Sequence, residues 1–137
     1  MSFQAAMSFQ ALFDEVMAGT ERFGHRQHVR LTWLAVRRHG TEAAITVVSD
    51  GIRQSARYAG APQKYNATVS RAWVEAVGFH VAEHPVDDFD AFAAAEPALL
   101  DKRLLSRFYS SALLASPEAR GGWVVPDREP FPWMVPA

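Results

Sequence analysis

Apolar residues recur along this chain at the three- and four-residue spacing of helices, and no stretch shows convincing two-residue alternation of a strand. Phe9, Leu12, Phe13 and Val16 mark a first helix over about residues 7–18, which Gly19 stops. A second helix begins at His25 and ends at His39 and Gly40. Thr41 is placed as the N-cap of a third, in which Ala44, Ile45, Val48, Ile52 and Ala56 recur at helical spacing. Gly51 falls inside that helix, where it weakens it or admits a close neighbour. Residues 59–62 read as a loop, and a fourth helix runs from about Gln63 to His84, closed by Pro85.

Beyond residue 85 the texture changes. Asp87 or Asp88 caps a short helix carrying Phe89 and Phe92, and Pro97 breaks it. Leu99, Leu100, Leu104, Leu105, Phe108 and Tyr109 suggest another helix. Ser116 and Pro117 read as an N-cap followed by proline at the first helical position. From Gly121 the chain is extended and proline-rich (Pro126, Pro130, Pro132, Pro136), with Trp133 as an anchor for the tail. The expected fold is all-α: a single-domain antiparallel helical bundle over residues 7–120, with additional short helices. The tail, 121–137, packs on the domain or leaves it. Met1-Ser2-Phe3-Gln4 recurs as Met7-Ser8-Phe9-Gln10, which a second start site explains more simply than a structural repeat. Residues 1–6 are therefore expected to be a disordered segment or a duplicated start.

The second helix breaks the amphipathic pattern. His25 and His28 lie on the same arc as Val29, Leu31, Thr32, Trp33, Ala35 and Val36, while Arg26, Gln27, Arg30, Arg37 and Arg38 share the opposite arc with Leu34. Imidazoles turned inward need partners, because an unpaired buried polar group costs free energy. A polar network, a metal ion and a small-molecule ligand each satisfy that need. Asn66, near the start of the fourth helix, is likewise on an apolar stripe, with Val69, Trp73, Val77, His80 and His84. His80 stands about 21 Å from Asn66 along the axis, too far to share one small site. Helices two and four, separated by the third, run parallel in an up-and-down bundle. That places His25, His28 and Asn66 at one end, with Tyr65 and Thr68 beside them.

Composition narrows the classes of function. The 137 residues suit one domain with one core. A net charge of −1 gives no field to draw nucleic acid or an anionic membrane, and no apolar run approaches the roughly 20 residues of a membrane span. Cysteine is absent, which excludes disulfides, thiolate metal sites and cysteine nucleophiles. The cytoplasm is the default compartment. His25-x-x-His28 presents two imidazoles together, as a divalent transition metal (Cu, Zn, Ni or Fe) requires. The motif lacks the glutamate of a zinc protease. His80 and His84 form a second pair, read with His39 as favourable charges at helix C-termini. No phosphate-binding glycine loop or nucleophile elbow is present.

Residues 9–132 resemble a family of small, largely uncharacterised bacterial helical proteins. The resemblance is carried by Phe23-Gly24-His25-Arg26-Gln27-His28 with Trp33, by Lys64-Tyr65-Asn66-Ala67-Thr68 with Trp73, by Phe108-Tyr109-Ser110, by Ser116 with Ala119-Arg120, and by Pro126-Asp127. Members commonly carry histidine where this chain has Asn66. The resemblance thus implies a metal-binding ancestry with three imidazoles, from which this chain departs at one ligand.

The function expected from these residues is a small enzyme acting on a small organic molecule. A lyase, isomerase or cyclase fits a metal-free site, and a metal-dependent oxidase fits a site with metal on His25 and His28. His25 or His28 serves as acid or base, Asn66 orients the substrate, and Tyr65 or Thr68 assists. Thr32, Trp33, Trp73 and Tyr109 line the pocket. The alternative is a binding protein or accessory subunit without catalysis, whose proline-rich tail docks on another chain or on a second copy in a homodimer.

Overall fold

The structure, a computed structural model, describes residues 3–134. It contains seven α-helices: α1 (Phe3–Met17), α2 (His25–His39), α3 (Thr41–Tyr58), α4 (Ala67–Glu83), α5 (Phe89–Ala95), α6 (Ser111–Leu114) and α7 (Pro117–Gly121). No strand occurs among the described residues, so the chain is all-α. Helices α2, α3 and α4 pack against one another in all three pairings, and α1 lies against α2 and α3. Thr41 at the start of α3 sits on Gly78 of α4, and Ser49 of α3 bonds Ser70 of α4 at 3.0 Å, so α3 and α4 run antiparallel.

Two glycines make this packing possible. A Cβ on Gly51 would fall inside the Phe9 ring of α1, and one on Gly78 would strike the Thr41 side chain. The internal glycine of α3 thus admits a close neighbour. Helix α2 is closely enclosed, with Leu31 to Val36 buried without interruption. Leu34, expected on the wet side, is buried as well. The helix has no wet side over this stretch because α1, α3, α4 and the Trp33 contacts to Phe89 and Phe92 surround it.

Several boundaries differ from expectation for local reasons. Helix α1 starts at Phe3, so residues 3–6, expected to be a disordered segment or a duplicated start, belong to it. Only residues 1–2 of that segment lie outside the described residues. The N-cap position of α3 is Gly40, and Thr41 is its first residue. Helix α4 begins four residues later than Gln63, because Pro62–Lys64 forms a 3-10 turn and Asn66 caps the helix. The apolar run from Leu99 to Tyr109 is not one helix but two 3-10 turns, Pro97–Leu100 and Leu104–Arg107. Between them the Asp101 carboxylate accepts the Arg103 amide at 2.9 Å, a local bond that competes with helical pairing. Asp88 caps α5 and Ser116 caps α7, with Pro117 at its first position.

The described part of the tail packs on its own chain. Phe131 is fully buried against Phe108, Tyr109 and Trp133, which is worth about 2 kcal/mol of apolar burial. The Trp133 indole donates to Glu75 Oε1 at 3.0 Å. Two of the aromatic groups a docking tail would offer are thereby already engaged. Pro136 and residues 135–137 lie outside the described residues.

Candidate functional site

Helix α2 opens at Gly24, whose amide donates to Gln27 Oε1 at 3.0 Å. This brings His25 into the first turn, beneath the 3-10 turn at residues 97–100. His25 Nε2 lies 2.9 Å from the Leu99 carbonyl oxygen. A carbonyl only accepts, so His25 carries a hydrogen on Nε2 and spends it there. The ring also packs edge-on against Trp73, at 4.7 Å between centroids. His28, one turn on, stands 6.2 Å from His25 between ring centres. Phe23 meets it edge-on at 6.4 Å and is itself packed, tilted, against Phe13 of α1 at 5.3 Å.

The two imidazoles differ in what they have found. His28 Nε2 is sealed from solvent and has no hydrogen-bond partner among the described residues. Its pKa is pushed down from 6.5 to about 4, first by burial and then by the His25 ring. It is therefore neutral at neutral pH.

The remaining expected site residues do other work. Asn66 caps α4 by accepting the Val69 amide on Oδ1 at 3.0 Å, and its Nδ2 donates to the Leu114 carbonyl at 2.7 Å. The Trp73 side chain that meets His25 issues from α4 two turns, about 10 Å, beyond that cap. Thr68 Oγ1 donates to the Gly122 carbonyl at 2.6 Å and accepts the Val124 amide at 3.1 Å. The Tyr109 hydroxyl donates to the Val124 carbonyl at 2.7 Å. Burial, and then the Glu75 carboxylate, raise the pKa of that hydroxyl. Asn66 and Thr68 thus tie the last third of the chain to the start of α4, and Tyr109 holds the same segment from within that third. Tyr65 stands half-buried in extended backbone just before the cap. Thr32 is buried, and its hydroxyl bonds back to the His28 carbonyl at 2.9 Å. Trp33 is core, beneath the Arg37 guanidinium at 4.7 Å. Trp73 alone of the expected pocket residues touches the imidazole pair through its side chain.

The metal implied by the family resemblance does not fit these residues. His25 Nε2 is engaged by a carbonyl and Asn66 is engaged at both ends of its amide. No group of three or more His, Cys, Asp or Glu is arranged to hold a metal ion among the described residues.

Sequence reasoning passed over one partner. Glu96, after α5, places Oε2 3.1 Å from His80 Nδ1 and Oε1 2.8 Å from His84 Nε2. The two histidines clasp α5 to the end of α4 as well as standing at a helix terminus. The His80 contact is an ion-pair approach without hydrogen-bond geometry. The i, i+4 spacing announced the pair, but nothing local linked it to a residue twelve positions away.

Fold and site together define an all-α domain with a half-buried, incompletely satisfied imidazole pair. No protein-family model, curated protein or solved structure matches the chain.

Proposed function

We propose that this protein binds a small neutral organic molecule beside His28, using the uncharged imidazole as a hydrogen-bonding recognition group. The observation that carries this reading is the unpartnered Nε2, buried beside Phe23. Leaving such a group unsatisfied costs about 1–3 kcal/mol, which a ligand with a complementary polar atom would return on binding. A neutral ring in an aromatic surround offers no charge to pair with an ionic ligand, so a neutral one is favoured. Access needs Phe23 to swing aside, and Phe23 belongs to the irregular segment between α1 and α2.

Binding is favoured over catalysis by the same chemistry. An acid–base group works best with its pKa near the operating pH, and a ring held at about 4 is far from neutrality. The groups expected to assist it, Asn66 and Thr68, are engaged in holding the fold. The test follows the ring nitrogens of His28 by nitrogen-15 NMR while phenol is titrated, with benzene as the apolar control. Phenol is expected to move the Nε2 resonance saturably and benzene to leave it in place. Equal responses to both, or none, would refute the reading.

A further inference from the structure

The opposite face of α2 carries a second site. A cleft of about 540 Å³ lies between α1, α2 and the start of α5. That volume is in the range of small-molecule pockets. Its α2 wall is the arginine face noted in the sequence: Arg26, Arg30, Arg37 and Arg38. Three of the four are committed. Arg26 pairs with Asp90 at 2.6 Å and lies over the Phe89 ring. Arg37 pairs with Asp87 at 2.7 Å and lies over Trp33. Arg38 pairs with Glu15 of α1 at 2.7 Å. The fourth acid on the lining, Asp88, is spent on capping α5 through the Ala91 amide.

Arg30 is left. It sits one turn from Arg26 and two turns from Arg37 on the same face, and has no carboxylate partner among the described residues. Its flanking arginines are engaged by aromatic faces and acids. Two neutral donors share the lining with it. Gln27 has its Oε1 occupied by Gly24, which leaves its amide hydrogens to donate, and Thr20 contributes a hydroxyl held only by a long 3.5 Å contact to the Arg22 carbonyl. A half-buried guanidinium flanked by an amide and a hydroxyl is a donor set for a planar or tetrahedral oxyanion. Trp33 and Phe89 lie almost wholly buried beneath the cleft, so they offer little apolar surface to a ligand. The ligand class is accordingly compact and polar.

We propose that this cleft binds a small, polar oxyanion, a carboxylate or a phosphate monoester, with Arg30 as its anchor. The site is independent of the imidazole pair, which faces the other way from α2. Isothermal titration of the intact protein with citrate, and separately with inorganic phosphate, at constant ionic strength set by chloride, tests the proposal. At least one anion is expected to bind saturably, and Arg30→Gln is expected to weaken that binding about tenfold or more. Arg53→Gln, on the exposed side of α3, serves as the charge control and is expected to change it less than twofold. Preference for citrate assigns a carboxylate ligand, and preference for phosphate a phosphate ester. Absence of saturable binding by either anion would overturn the proposal, as would Arg30→Gln binding as tightly as the parent or Arg53→Gln weakening it equally.

Discussion

Replacing His28 by phenylalanine keeps a flat ring beside Phe23 and removes the unpaired nitrogen. The consequence for stability depends on pH. In the folded chain the His28 pKa is pushed down to about 4, while in the unfolded chain it returns to the ordinary histidine value of 6.5. The unfolded state therefore binds the proton first as the pH falls. Stability is complete above pH 6.5, declines through the window from 6.5 to about 4, and does not change further on this account below it. At 1.36 kcal/mol per pH unit, the whole decline is about 3 kcal/mol. Two aspartates act lower down. Asp101, bonded to Arg103, and Asp127, bonded to Ser110, both have lowered pKa values. Their stabilisation is present above the ordinary carboxylate range and is lost only as the pH falls through and below it. Over the interval from pH 6.5 to 5 the difference between parent and variant therefore reports His28, every other histidine being common to both. Urea midpoints of parent and His28→Phe, measured at half-unit steps across it, give the comparison. The parent should lose about 2 kcal/mol more than the variant over that interval. Any fixed gain or loss from fitting the larger ring shifts the whole curve and leaves the slope untouched. A variant as acid-sensitive as the parent would refute the reasoning, because the slope would then arise elsewhere.

Two further outcomes follow from the tethers at the start of α4. Thr68→Val keeps the shape and removes the oxygen shared by Gly122 and Val124. A loss of about 2 kcal/mol is expected, with faster hydrogen exchange at the Val124 amide. Unchanged protection at Val124 would show that the hydroxyl does not hold the segment. Asn66→His would complete the three-imidazole set implied by the family resemblance, but here it removes a cap and a tether. It should lower stability by about 1 kcal/mol and take up no stoichiometric Cu, Zn, Ni or Fe by elemental analysis. One bound metal per chain, with stability intact, would reverse that conclusion.

The helices were legible in the sequence where periodicity and a terminating signal coincide. Gly51 signalled either a weakened helix or a close neighbour, and nothing local named Phe9 as that neighbour. The Ser116 cap, and the α5 cap as either Asp87 or Asp88, were readable from a polar residue set just before helical spacing. The run from Leu99 to Tyr109 misled because its leucines keep a helical rhythm, while Asp101 and Arg103 redirect the backbone by a local bond that periodicity does not register. The enclosure of α2 was also hidden. Its second side is covered by α1 and α5, and no local pattern tells a covered side from a wet one.

Reading the site met a deeper ambiguity. Asn, Thr and Tyr turned inward are the residue types of a catalytic pocket and equally of a cap and a backbone tether. Which role each takes is fixed by which main-chain groups arrive from far along the chain. Leu114, Gly122 and Val124 meet Asn66, Thr68 and Tyr109 across 48, 54 and 15 positions. Those three side chains therefore leave the candidate list once their bonds are seen. His28 remains on it for the opposite reason, because no distant carbonyl or amide reaches its Nε2. The same accounting separates Arg30 from Arg26, Arg37 and Arg38, four residues of one type on one helix face. In both cases function is sought where a strong donor or acceptor has been positioned by the fold and left without a partner in it.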